Sequence, residues 1–201
     1  MKTRSKALLL ALCAVLLVTA SVLGTMAYLT STTGVVTNTF SVGNVAITLD
    51  EAKVDVYGDE IADAGRVTAN TYKLIPGHEY TKDPTVHVAK GSEECWLFVK
   101  VVDGIAAIED ATTVAAQLTS NGWTAVEGAE NIYAYNTKVD AREEAKDIKV
   151  FESFKILGTA DVSAYNGKTI TVQAYAVQAD SFGTAAEAWT AAPLAAWVPA
   201  A

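Results

Sequence analysis

The chain has 201 residues, of which 51% are apolar, and its 15 basic and 23 acidic residues give a formal net charge of −8. This length and composition suit one sizeable domain and exclude a wholly disordered chain. The acidic balance argues against nucleic-acid binding, because phosphate recognition needs a basic face. Two cysteines, Cys13 and Cys95, are too few for a disulfide scaffold.

The N-terminal segment has the layout of a secretory signal peptide. Three cations among the first six residues precede an uncharged run rich in Leu, Ala and Val. Small residues at Thr25 and Ala27 mark a peptidase site, so we predict a signal peptide over 1–27 that is cleaved before Tyr28. The mature product, 28–201, is then a single secreted domain. The alternative is a retained membrane anchor, since the apolar run approaches the roughly 20 residues that span a bilayer.

After residue 30 the sequence changes to short β-type runs. Side chains alternate with period two over 45–50, 96–101 and 170–176, and in the second run Leu97, Val99 and Val101 alternate with Trp96, Phe98 and Lys100. This pattern predicts half-buried strands. Asn166-Gly167 predicts a hairpin that pairs 159–165 with 168–179.

Pro76-Gly77 is typical of a turn and predicts that 66–74 pairs with 78–88. Pro84 lacks an amide donor, which places the second of these strands at a sheet edge or at a bulge. Helical spacing predicts two short helices, over 109–119 and over 184–192, the second capped by Thr184. The sum favours an all-β fold, an antiparallel jelly-roll-like sandwich with one or two short helical insertions after the N-terminal signal helix.

A search for catalytic, cofactor-binding or metal-binding motifs finds none, so we predict that the protein is not an enzyme. His78 and His87 are nine residues apart and lack the His-Glu-x-x-His pattern of zinc sites. The acidic clusters lack the regular calcium-loop spacing. Cys95 lies inside a predicted strand, where a buried apolar role is expected rather than a reactive thiol.

The aromatic residues allow a second interpretation of the function. Several of them could line a glycan-binding face, although a sandwich core or a subunit contact needs the same side chains. They are Trp96, Phe98, Trp123, Tyr133, Tyr135 and Tyr175.

Four segments resemble the TasA/camelysin family, which are surface and biofilm-matrix proteins of Gram-positive bacteria released by a SipW-type signal peptidase. Residues 24–30 (GTMAYLT) and 37–49 (TNTFSVGNVAITL) are similar to the N-terminal region of that family. Residues 74–84 (LIPGHEYTKDP) are similar to its Leu-x-Pro-Gly-x-x-x-Thr-Lys hairpin, and 170–180 to its late apolar strand.

The resemblance implies an extracellular fibre protein with a jelly-roll fold that polymerises head to tail by donor-strand exchange. The partners it implies are other copies of this chain, the SipW-type peptidase, and a matrix or anchoring subunit, without a cofactor. The arm 28–43 suits strand donation, because it is β-prone, free of proline, and becomes a chain terminus only after cleavage. Its donor-strand residues are Tyr28, Leu29, Val35, Val36 and Phe40.

Three alternatives remain open at this point. The arm can fold back as the first strand of its own domain. The protein can instead be a monomeric secreted module that binds glycans or the cell wall. A camelysin-like metallopeptidase is the third alternative, since camelysin carries a protease label, but the sequence contains no recognised zinc motif.

Overall fold

The computed structural model describes Lys6 and residues 10–18 and 44–191. The chain divides into two compact units, Met1–Ser41 and Val42–Ala201. In the first unit, residues 10–18 form a helix, α1, with exposed apolar side chains. Across the described residues, no helix is both long and apolar enough to cross a membrane.

Residues 44–191 of the second unit form eleven strands, two short α-helices and two 3-10 helices. The strands are β1 (Ile47–Ala52), β2 (Arg66–Val67), β3 (Glu79–Thr81), β4 (Thr85–Val88), β5 (Ser92–Asp103), β6 (Trp123–Ala125), β7 (Ile132–Tyr135), β8 (Val139–Ala141), β9 (Lys146–Lys149), β10 (Ser153–Lys155) and β11 (Ile170–Gln178). The α-helices are α2 (Val114–Ser120) and α3 (Ala185–Ala191), and the 3-10 helices are Ala106–Ile108 and Val162–Tyr165.

The strands form two larger sheets and one ribbon. The first sheet has the order β2-β1-β4-β9, and the second has the order β11-β5-β7-β6, with β8 also pairing with β5. Strands β3 and β10 form the ribbon. All of these pairings are antiparallel, which confirms the prediction of an all-β fold with short helical insertions.

One hydrophobic core takes side chains from both larger sheets. Val86 and Val88 of β4 belong to the same buried cluster as Leu97 and Val99 of β5. Cys95 is also in this cluster and is fully buried, as the sequence predicts. The alternating residues of one face of β5 therefore supply the centre of the core.

The opposite face of β5 is also buried, which is why its sequence is nearly continuously apolar. Trp96 and Phe98 form a second cluster that α3 covers. The Phe98 and Trp189 rings lie 5.3 Å apart between centroids, and Trp96 Nε1 donates a 3.2 Å hydrogen bond to the Phe182 carbonyl. The helix thus closes the outer side of the second sheet.

The predicted hairpin at Asn166-Gly167 is wrong, although a turn forms there. Residues Val162–Tyr165 are a 3-10 helix, in which the Asp161 side chain accepts a hydrogen bond from Ser163 N. The strand after the turn, β11, pairs along its whole length with β5 instead. A nine-residue ladder with a buried central strand is more favourable than pairing with a short preceding segment.

The predicted pairing of 66–74 with 78–88 is also wrong. The turn exists, with Gly77 at φ 79°, but the Tyr80 hydroxyl accepts from Ile75 N at 2.7 Å and donates to the Lys73 carbonyl at 2.6 Å. These side-chain bonds replace the ladder that a hairpin would need. β3 pairs with β10.

The edge position predicted from Pro84 is wrong as well, because β4 lies between β1 and β9. Pro84 immediately precedes the strand, where no ladder donor is required, and its carbonyl accepts from Val150 N at 2.8 Å.

Both predicted helices exist with different starts. The first, α2, begins at Val114 rather than near 109, because the Thr113 side chain caps it by accepting from Ala116 N. The second, α3, has the predicted Thr184 cap, which accepts from Glu187 N. The Glu187 carboxylate in turn accepts from Thr184 N, so the two residues form a capping box.

Candidate functional site

A groove of about 930 Å³ lies in the part of the chain that the structure describes. It lies between β1 with the segment that follows β2 on one side, and the start of β11 with the loop that precedes it on the other. Its apolar lining residues are Leu49, Val67, Leu74, Ile105, Phe154, Val162, Tyr165, Ile170 and Val172. The lining also contains polar and charged residues, among them Glu51, Asn70 and Lys82.

The groove exists because the core is incompletely covered along this side. Leu49, Leu74, Ile170 and Val172 pack against the buried cluster but are themselves only half-buried. Side chains of this kind are typical of a surface that another apolar element covers.

The two strands beside the groove also have incomplete ladders. β11 is the terminal strand of its sheet and pairs with β5 alone among the described strands. β1 pairs with β4 over Ile47–Asp50, whereas β2 covers only Glu51 and Ala52 on its other side. An edge with unpaired backbone groups is a template for an added strand.

A polar cluster forms part of the lining of the groove. Glu51, which is only 4% exposed, forms an ion pair with Lys82 through one carboxylate oxygen. Its other oxygen accepts from Asn70 Nδ2 at 2.9 Å. Burial, followed by the charge of Glu51, raises the pKa of the neighbouring Tyr72 above its ordinary value. These groups are therefore largely removed from water.

A second charged group joins the strands of the first sheet. His87 Nε2 lies 2.8 Å from Asp50 Oδ1, and Nδ1 lies 2.7 Å from Asp147 Oδ1. Burial lowers the pKa of His87, but the bonds to Asp147 and Asp50 outweigh it and the net pKa is raised. Asp50 also accepts a hydrogen bond from Arg66 Nε. Burial raises the pKa of Asp50, but the hydrogen bonds from Arg66 and His87 outweigh it and the net pKa is lowered.

The remaining candidates for chemistry are isolated or enclosed. His78 Nε2 bonds the Tyr57 carbonyl at 2.7 Å. Burial, then the charge of Glu94, raises the pKa of Cys95 to about 11, which disfavours a thiolate. In the described ranges, no three His, Cys, Asp or Glu side chains are arranged to hold a metal ion.

The aromatic residues do not form an exposed platform. Trp96, Phe98 and Trp123 are 7%, 0% and 0% exposed and belong to the interior. Tyr133 and Tyr135 are half-buried and pack against the core, and Tyr175 is half-buried against the second cluster. These rings are therefore used by packing.

The site residues predicted from sequence lie outside the described residues. They are the cleavage residues Thr25, Ala27 and Tyr28 and the donor-strand residues Tyr28, Leu29, Val35, Val36 and Phe40. The groove itself was not predicted. The sequence instead predicts that its wall over 67–74 pairs with 78–88, and Glu51, Asn70 and Lys82 are too far apart in sequence to form a recognisable motif.

Comparison of the chain with protein-family models, with curated proteins and with solved structures gives no match.

Proposed function

We propose that this protein is an exported structural subunit of extracellular fibres, a jelly-roll protein of the TasA/camelysin kind, which assembles by donating the arm 28–43 to the groove of the next copy. The single observation that supports this most strongly is the groove of about 930 Å³ whose half-buried apolar walls stand beside the terminal strand β11. The proposal has no catalytic step and no cofactor.

The arm is long enough to fill this groove. At about 3.3 Å per residue, an extended segment over 28–40 reaches about 43 Å, while the ladder of β11 measures about 30 Å. A strand added at this edge gains main-chain hydrogen bonds, and pockets for alternate side chains set its register.

The pattern of apolar residues in the arm suits a strand that is buried on both faces. Leu29 and Val35 fall on one face of an extended chain, and Val36 and Phe40 fall on the other. Burial of four such side chains contributes about 6–12 kcal/mol before the entropy of association is subtracted.

Donor and acceptor surfaces differ in this arrangement, so each contact is head to tail. A heterologous contact whose rotation does not close gives an open filament. The arm becomes available after cleavage before Tyr28, which makes a SipW-type peptidase the implied processing partner. A matrix or anchoring subunit would take one end of the filament.

Paired variants of the mature chain 28–201 test the proposal by electron microscopy and by size-exclusion chromatography with light scattering. We expect filaments from the unmodified chain and monomers from Val35→Asp/Val36→Asp. The matched control Ser31→Asp/Thr32→Asp adds the same charge at polar positions of the arm and should retain assembly. Equal filament formation by all three proteins would refute strand donation.

A second pair of variants tests the acceptor groove. Val172→Lys places a charge on the groove side of β11 and should prevent assembly. Val102→Lys is its control, because Val102 is 40% exposed on the adjacent strand, and the register pairs it with Thr171 rather than with Val172. If assembly fails in both variants or in neither, the acceptor surface does not lie on the groove side of β11.

A further inference from the structure

Glu51, Asn70 and Lys82 form a compact polar cluster whose chemistry the fibre proposal does not use. Lys82 and Glu51 are side-chain partners with exposed fractions of 11% and 6%. Asn70 Nδ2 donates to the second oxygen of the same carboxylate at 2.9 Å. One buried carboxylate therefore contacts both a primary amine and a primary carboxamide.

The amide of Asn70 is oriented by three hydrogen bonds. Its Nδ2 donates to Glu51 and, at 2.8 Å, to the Ala52 carbonyl, while Oδ1 accepts from Val54 N at 3.1 Å. Both groups that face Nδ2 are acceptors and the group that faces Oδ1 is a donor, so the opposite amide orientation is excluded. The Val54 N–H polarises the carbonyl and is placed to stabilise negative charge on Oδ1.

We propose that Asn70 and Lys82 are a self-modification site, at which the chain forms an intramolecular amide bond between Lys82 Nζ and Asn70 Cγ with Glu51 as the general acid and base. A desolvated lysine beside a base is an activated nucleophile, and positioning replaces much of the entropic cost of a reaction between two separate groups. The inference is independent of strand donation.

The reaction balances without an oxidant, a cofactor or a second substrate. The Lys82 ammonium gives a proton to the Glu51 carboxylate, and the freed Nζ lone pair attacks Asn70 Cγ as electrons move to Oδ1. The tetrahedral centre then collapses and the Cγ–Nδ2 bond breaks. Glu51 transfers two protons in turn from Nζ to Nδ2, so the leaving group departs as ammonium. Glu51 returns to its carboxylate form.

The groove supplies the surroundings that this step needs. Tyr72 and Phe154 line the groove together with the cluster and pack edge to face at 5.2 Å between ring centroids. They limit water beside the reacting atoms, and the open side of the groove lets ammonium leave. The product bond closes a ring over residues 70–82 and fixes one wall of the groove covalently.

Intact-mass spectrometry of the purified full chain, denatured before analysis, tests the proposal. We expect a mass about 17 Da below that of the sequence, which is the mass of lost ammonia. Trypsin should then release a branched product that joins peptide 67–73 to a peptide spanning 74–90, since linked Lys82 resists cleavage. A folded chain that keeps its full sequence mass after prolonged incubation would overturn the proposal.

Three variants identify the source of any mass loss. Lys82→Arg keeps the ion pair but removes the nucleophile, Asn70→Ala removes the electrophile, and Glu51→Gln removes the base. Each should show its full sequence mass. Lys82→Arg is the decisive comparison because it preserves the charge pair, and circular dichroism verifies that it is folded. A 17 Da deficit that persists in Lys82→Arg would place the ammonia loss at another residue and refute the assignment.

Discussion

His87 Nδ1 lies 2.7 Å from Asp147 Oδ1, and this contact joins β4 to β9 where the two residues are direct cross-strand partners. On its other side the ring contacts Asp50 of β1. Both ring nitrogens thus face carboxylate oxygens, which favours the doubly protonated ring. One imidazolium therefore connects three adjacent strands of the first sheet.

This arrangement predicts a pH-dependent contribution to stability. The folded state raises the pKa of His87 above its ordinary value of 6.5, so the stabilisation is complete below about pH 6.5 and is lost as the pH rises through the folded-state pKa. Asp50 behaves in the opposite way. Its pKa is lowered from 3.8, so its contribution is present above that value and is lost only in stronger acid.

Thermal unfolding of His87→Gln and the unmodified chain at a series of pH values measures this contribution. For a partly exposed pair we expect about 0.5–1 kcal/mol, or a Tm difference of about 2–4 °C at pH 5.5 that vanishes near pH 9. A difference that is the same at both pH values would show that the ring acts by packing alone.

The hydroxyl of Tyr80 predicts a different kind of loss. The side chain is 0% exposed, and its oxygen bonds both Ile75 N and the Lys73 carbonyl. Tyr80→Phe leaves these two backbone groups without their partner and should cost about 1–3 kcal/mol in urea unfolding. Tyr57→Phe is the control, because Tyr57 is 41% exposed and should change stability by less than about 0.5 kcal/mol. Equal effects would contradict the role of the hydroxyl.

The same Tyr80 contact shows where sequence reasoning reached its limit. Period-two patterns correctly predict that β1, β5 and β11 are strands, because alternation is a local property of the sequence. The half-burial predicted for β5 is wrong, since both of its faces are buried. Which strands pair is not local. Gly77 and Gly167 both have positive φ and both form turns, but each turn leads out of a segment whose backbone bonds are taken by side chains or by a 3-10 helix.

The polar cluster in the groove could not be predicted from the sequence for a related reason. Glu51, Asn70 and Lys82 come from three separate segments that meet only when β1, β2 and β3 have taken their places. Each residue alone has the character of an ordinary surface residue. A buried carboxylate that holds an amine and an amide emerges only from tertiary structure.

The burial of Cys95 predicts that its thiol reacts with alkylating reagents only when the protein opens or unfolds. It is fully buried, and its pKa is raised to about 11, so alkylating reagents have neither access nor thiolate at pH 8. Within residues 28–201 it is the single cysteine. We expect iodoacetamide to label native protein at the rate of opening and to label urea-unfolded protein at the rate of a free thiol. Rapid labelling of native protein would contradict the burial.

The capping box of α3 predicts a localised effect. Thr184→Ala removes the side-chain acceptor for Glu187 N and should cost about 0.5–2 kcal/mol. Because α3 covers Trp96 and Phe98, the loss should also appear as increased tryptophan quenching by acrylamide. Thr190→Ala, at the other end of the helix, removes only a bond to the Ala186 carbonyl and should be nearly neutral. Quenching that is unchanged in Thr184→Ala would separate the cap from the packing of α3.

Glu109 predicts a substitution that stabilises the protein. It is 7% exposed, one oxygen accepts from Val114 N, and the other has no hydrogen-bond partner among the residues that the structure describes. Burial, followed by the charge of Asp103, raises its pKa from 4.5 to about 7. Because the folded pKa is raised, ionisation opposes folding. Stability therefore falls as the pH rises from about 4.5 and is lowest above about pH 7.

Glu109→Gln removes this penalty and keeps an acceptor for Val114 N. We expect a gain on the order of 2 kcal/mol at pH 8 and no gain near pH 4.5, measured by urea unfolding at both pH values. Glu127→Gln is the control, since it removes one acidic charge from an exposed position between β6 and β7. Only a buried carboxylate has a desolvation cost when it ionises, so Glu127→Gln should give no such gain. If both variants gained equally at pH 8, the effect would come from the change in net charge rather than from the burial of Glu109.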